Sequence, residues 1–221
     1  METTRGKLFI ISDSNFMKEV TGAEYRLYIA LKTISKYNEN GVNYLNDYQC
    51  EFSKLSRELK LENGLNKSGE IGYMTRKTIS KLFKSLESKG IIEREDTGEN
   101  RYIYKITKEK PYKFTIINKE TLEILSKKFK GQLLKTYIYL SGIYSCASRQ
   151  PIKMNRETIA KAINELSNDG TIKERQLENV TKYVKTLKDL KLLDYKIISI
   201  KRKTYTTAYE IKDITDKIEA N

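Results

Sequence analysis

Arg76, Lys77, Ser80, Lys81 and Lys84 recur at helical spacing as a row of hydrogen-bond donors, with no acid among them before Glu87. Such a row suits the base edges of a duplex, where Arg and Lys bond guanine and Ser acts as donor or acceptor. Asn179, Lys182, Lys185 and Thr186 form a second row, shared with Glu178 and Asp189. That second row is open to two readings, contact with DNA or packing against a domain or a second copy. A third basic group, Lys201, Arg202 and Lys203, stands in what reads as a hairpin tip. Cations there suit phosphate oxygens or the minor groove, contacts that position a protein without reading sequence.

Other chemistry finds little support. The chain has no histidine, which removes imidazole as base or ligand, and Cys50 and Cys146 are too far apart for a zinc spacing. Neither a glycine-rich phosphate loop ending in Lys-Ser/Thr nor a GxSxG turn occurs. The expectation is a protein that is not an enzyme, with no catalytic residue, no metal and no cofactor. Both cysteines are expected to be reduced, structural and partly buried.

The first donor row needs a helix with an opposite, apolar face. Ile79, Leu82, Phe83 and Leu86 supply that face, Thr75 stands as N-cap and Gly90 suits the residue after the C-cap. Two β-like segments follow, Ile91 to Arg94 and Arg101 to Ile106, joined by a turn from Glu95 to Asn100. Helix, glycine, strand, turn, strand is the order of a recognition helix and its wing. Ahead of it the pattern predicts a strand at Lys7 to Ile11, a brief helix at Ser14 to Val20 and a mostly apolar helix at Glu24 to Ser35. A strand at Val42 to Leu45 and a helix at Glu51 to Leu61 complete the series. The connection from Glu62 to Met74 is longer than the three or four residues of a helix-turn-helix; it reads as an insertion, with a loop that orders on DNA as the alternative.

Glu109, Lys110 and Pro111 mark the expected boundary between a first domain, 1–108, and a second, 109–221. The second repeats the architecture. A strand at Phe114 to Ile117 precedes Asn118 as cap of a helix carrying Leu122, Ile124 and Leu125, and a longer helix runs from Leu133 to Cys146. A strand at Ile152 to Met154 leads to Asn155 as the next cap, a helix with Ile159, Ala162, Ile163 and Leu166, and a helix from Glu174 to Leu190. Tyr195 to Ile200 and Tyr205 to Ile211 flank the basic tip. The expected fold class is α+β, mainly helical, with two tandem winged helix-turn-helix domains.

With 42 basic against 29 acidic residues in 221, the net charge is +13 and the pI about 9.4, which points to a polyanionic partner. No apolar run approaches the length of a membrane span, and METTRGKLFIISDS has no secretory pattern, so the expected location is cytoplasmic and no membrane partner is expected. Sixteen tyrosines could stack single-stranded bases, but Tyr25, Tyr28 and Tyr137 fall at core spacing. Single-stranded nucleic-acid binding is therefore the lesser alternative.

The segment MTRKTISKLFKSLESKGIIERE, Met74 to Glu95, resembles the recognition-helix segment of the plasmid replication initiator A family. By architecture the chain resembles tandem winged-helix replication proteins of plasmids and phages from low-GC bacteria. The resemblance implies sequence-specific binding to double-stranded DNA, as a homodimer or in multiple copies on repeated sites, to begin replication at an origin, with host replication proteins as further partners. It implies major-groove contacts from Arg76, Lys77, Ser80 and Lys81, and wing contacts near Arg101 and at Lys201 to Lys203. The chain departs from the pattern in its long Glu62 to Met74 connection and in the acids Glu95, Asp96 and Glu99 at the first tip. A transcriptional regulator, or a partition or accessory DNA-binding protein of a mobile element, is the alternative reading.

Overall fold

In the computed structural model, residues 7–37, 43–45, 51–65, 69–98, 101–106, 113–201 and 204–212 are described. The chain is mixed α and β, with small antiparallel sheets. It forms two compact units that alternate along the sequence. Unit A comprises Gly22–Pro111 and Leu122–Gly131; unit B comprises Met1–Thr21, Tyr112–Thr121 and Gln132–Asn221. This differs from the contiguous division expected at 108/109, and strand pairing supplies the reason. The first strand, β1 (Lys7–Ile11), pairs antiparallel with β8 (Phe114–Asn118), Lys7 opposite Asn118 and Ile11 opposite Phe114. The helix after it, α1 (Ser14–Glu19), goes with it into unit B.

Unit A is built on α2 (Gly22–Ile34), where Tyr25, Leu27, Tyr28, Ile29, Ala30 and Leu31 are all buried. A helix apolar on nearly every side must lie inside, and the rest of the unit packs around it. The strands β2 (Lys36–Tyr37), β3 (Asn43–Leu45), β6 (Ile92–Gly98) and β7 (Arg101–Ile106) form one sheet in the order β2-β3-β7-β6. Helix α3 (Phe52–Leu59) buries Leu55 and Leu59. Helix α4 (Arg76–Ser88) starts where Thr75 Oγ1 accepts from the Thr78 amide at 3.2 Å. It stops in a two-bond closure: Gly90 N donates to Glu87 O at 2.9 Å and Ile91 N to Leu86 O at 3.0 Å. That geometry needs a left-handed residue, and Gly90 supplies it with φ +66°.

The inward face of α4 is Ile79, Phe83 and Leu86; Leu82, expected in the core, is half-exposed. Phe83 meets Phe52 and Tyr104 edge-on, with centroids 5.3 and 4.5 Å away. The expected connection from 62 to 74 is instead a hairpin, β4 (Glu62–Leu65) with β5 (Ile71–Tyr73). Gly64, at φ +90°, stands where the register of β4 shifts, and Gly69, at φ +80°, precedes β5. Strand β6 also runs on through Asp96 to Gly98, so Glu95 and Asp96, expected in the turn, lie in a strand.

Unit B holds most of α6 (Gly131–Cys146), with α7 (Arg156–Ile163), α8 (Glu174–Asp189) and a sheet of β9 (Ile152–Met154), β10 (Leu193–Lys201) and β11 (Thr204–Ile211) in the order β10-β11-β9. Asn155 caps α7 by accepting from Thr158 N at 2.8 Å, and Asn118 caps α5 (Lys119–Lys128) by accepting from Glu120 N at 2.8 Å. Left-handed Asn164 ends α7 before Leu166, which is exposed rather than part of the apolar stripe. Ile124 likewise faces outward. Cys146 is free and exposed at the end of α6, not partly buried, and Cys50 lies outside the described residues.

Helix α8 closes as α4 does, with Lys191 N on Lys188 O at 2.8 Å and Leu192 N on Leu187 O at 2.9 Å. Here the left-handed position is Lys191, at φ +59°. A side chain in that conformation costs about 1–2 kcal/mol, partly offset by the backbone entropy a glycine would lose. Lys191→Gly is therefore expected to raise stability by about 0.5–1 kcal/mol in urea unfolding. No gain, or a loss, would show that the closure carries no strain.

The central helix of each unit carries a cation buried almost completely, Arg26 in unit A, where Lys32 of the same helix is buried as well, and Lys135 in unit B. Arg26, 2% exposed, donates through Nε to Ser126 O at 2.6 Å and through Nη2 to Lys127 O at 2.5 Å, both at the end of α5, and through Nη1 to Glu62 O at 2.7 Å. Burial pulls its pKa down to about 10, opposed by the nearby Glu62 charge, and leaves it protonated at neutral pH. Lys135, 1% exposed, donates to Met17 O and Val20 O at 2.6 Å each and to Ile163 O at 3.3 Å. Those carbonyls close α1 and α7, so the ammonium satisfies acceptors that a helix end leaves open and sits at the negative pole of both helices.

Candidate nucleic-acid interface

The apolar face of α4 turns its donor row outward. Arg76, Lys77, Lys81 and Lys84 are exposed and Ser80 is half-exposed. Among the described residues no hydrogen bond or ion pair engages the four cations. Elsewhere the lysines are often neutralised locally: Lys54 by Glu51, Lys89 by Glu24, Lys105 by Glu95, Lys127 by Glu123, Lys173 by Asp169 and Lys188 by Asp194. Arg76 and Lys77 also stand in the first turn of α4, which contains no acid. A cation there opposes the helix dipole by about 0.3–1 kcal/mol, while a phosphate brought to that end would be favoured by the dipole and by both side chains.

Position and angle of α4 are set from behind. Glu24 on α2, 4% exposed, accepts from Ser85 Oγ at 2.5 Å and from Lys89 Nζ at 2.7 and 2.8 Å. A buried carboxylate with these donors holds the far end of α4 on α2, so the donor row is carried on a fixed element.

In unit B, Lys182 and Lys185 are exposed on α8 and no described partner engages them. Asn179 is different. Its Nδ2 donates to Glu165 Oε1 at 2.9 Å, and Tyr183 OH donates to Glu165 Oε2 at 3.2 Å. Burial, Glu165's charge and that bond together push the Tyr183 phenol well above its ordinary range, so it remains a donor. Asn179 is thus engaged in tying α8 to the segment after α7. Thr186 Oγ1 bonds back to Lys182 O at 2.9 Å.

A groove of about 550 Å³ lies between α8 and the β10–β11 hairpin, lined in part by Arg156, Thr181, Tyr195, Ile197 and Thr207. Arg156, exposed in the first turn of α7, donates to Thr181 Oγ1 at 3.1 Å. This cation beside the α8 row was missed in the sequence, although an arginine directly after a capping asparagine was the signal. Of the expected hairpin-tip residues, Arg202 and Lys203 lie outside the described residues, while Lys201 ends β10 and Arg101 begins β7, opposite Gly98. Glu95 is paired with Lys105 at 2.8 Å, which reduces the repulsion expected of the first tip.

Tyr25, Tyr28 and Tyr137 are buried, as their spacing predicts. No helix among the described residues is long and apolar enough to cross a membrane, and no group of three or more Cys, Asp or Glu is arranged to hold a metal ion among them. No family model and no curated protein matches the chain.

Proposed function

We propose that both units are winged helix-turn-helix modules and that the protein binds specific sequences in double-stranded DNA, as a plasmid or phage replication initiator. The observation that carries this reading is the pair of outward, unneutralised cation rows on α4 and α8, each on a helix followed directly by a β-hairpin. Lys81 and Lys84 precede the left-handed Gly90 by the same intervals as Lys182 and Lys185 precede Lys191. The net charge of +13 supports a polyanionic partner. The likeness of Met74 to Glu95 to the plasmid initiator A segment supports the narrower role.

The test is footprinting on origin and promoter fragments, followed by binding isotherms at several salt concentrations. A protected site within an origin is expected, with affinity falling by roughly a thousandfold or more between 50 and 200 mM salt, as about six phosphate contacts require. Protection over a promoter alone would make the protein a regulator. Absence of any protected duplex, or preference for single strands, would overturn the reading.

A further inference from the structure

We infer that Arg156, on α7, is the guanine-reading residue of unit B, its guanidinium held by Thr181 on the flank of α8 that corresponds to the place of Arg76 on α4. This rests on the DNA-binding reading above.

The need arises on α8 itself. Of the four residues expected to meet DNA from this helix, Asn179 is bonded to Glu165, and the Thr186 hydroxyl gives its proton to Lys182 O. Lys182 and Lys185 remain. A lysine is a point charge on a flexible stem, whereas the planar fork of an arginine matches the paired O6 and N7 acceptors of guanine. Arg76 carries such a fork in unit A, one helical turn ahead of Ser80. Ser80 and Thr181 precede the left-handed Gly90 and Lys191 by equal intervals, so the counterpart of Arg76 is Leu177, whose side chain donates nothing.

Arg156 brings the missing fork from the neighbouring helix. Its Nη1 donates to Thr181 Oγ1 at 3.1 Å, and Thr181 Oγ1 donates in turn to Leu177 O at 2.9 Å. The hydroxyl has a single proton, and with that proton on Leu177 O a lone pair is left to receive the guanidinium. Arg156 is thereby tied to the turn of α8 between Leu177 and Thr181. Among the described residues no other hydrogen bond and no ion pair engages it, so Nε and Nη2, which share one edge of the planar group, keep their donors. Glu157 lines the same groove of about 550 Å³ and does not neutralise it. Folding accounts poorly for this arginine, which is exposed in the first turn of α7, where a cation opposes the helix dipole, and whose one bond is to an exposed threonine. A base edge with two adjacent acceptors gives its remaining donors a partner.

The experiment uses the full chain and the duplex protected in footprinting, with each guanine replaced in turn by 7-deazaguanine, which lacks the N7 acceptor. At one guanine the replacement should weaken wild-type binding by roughly tenfold and leave the affinity of Arg156→Ala unchanged. Arg156→Lys keeps the charge but not the fork, and it should be as indifferent to that guanine as Arg156→Ala. Thr181→Val should reduce the response to the same guanine and have no further effect when combined with Arg156→Ala. Both positions are exposed, so melting temperatures should hardly move. Wild-type affinity in Arg156→Lys, or losses equal on every sequence, would make Arg156 a phosphate contact and overturn the inference while DNA binding stands. An Arg156→Ala chain that responds to every guanine as the wild type does would overturn it too, as would loss of the response in Arg175→Ala instead. No binding to any duplex would overturn the DNA-binding reading as well.

Discussion

Lys135→Met is expected to destabilise unit B by about 3–5 kcal/mol, the scale of removing one partner from a buried charged network. Methionine fills much of the same volume but donates nothing, so Met17 O, Val20 O and Ile163 O lose the ammonium that all three share. Each buried carbonyl left without a donor costs about 1–3 kcal/mol, and the ends of α1 and α7 also lose the favourable charge at their poles. Hydrogen exchange should register the loss first in α1 and α7, because the three carbonyls that Lys135 engages lie at the ends of those helices. Arg26→Met should produce the corresponding loss in α5 and β4 of unit A. A Lys135→Met chain that unfolds at the wild-type urea concentration, with unchanged exchange in α1, would mean that the ammonium contributes no more than the water it displaced.

Arg76→Ala combined with Lys81→Ala is expected to cost about 2–6 kcal/mol of binding free energy on the preferred sequence, about 1–3 for each bidentate base contact, and much less on random duplex. Both side chains are exposed, so the melting temperature should hardly move. Asn179→Ala should behave in the opposite way. It removes a donor from Glu165, so stability should fall while the preference among sequences stays the same. The measurement is anisotropy of labelled duplexes, specific and scrambled, beside thermal unfolding of each variant. Equal losses on both duplexes would reduce Arg76 and Lys81 to phosphate contacts; no loss on either would remove α4 from the interface.

The residues that start and stop helices were legible in the sequence alone. Thr75, Asn118, Asn155 and Gly90 act within three or four residues of themselves, and a bond that short depends on little beyond its own segment. For the same reason the outward row of α4 followed from the spacing of Ile79, Phe83 and Leu86. What lay opposite each segment could not be read this way. The pairing of β1 with β8 and the engagement of Asn179 by Glu165 depend on partners brought from elsewhere in the chain. Arg26 and Lys135 show the limit most plainly. A cation within an apolar helix reads as a break in the pattern, and only the tertiary structure, by aiming open helix ends at it, turned that break into the bond that holds each unit together.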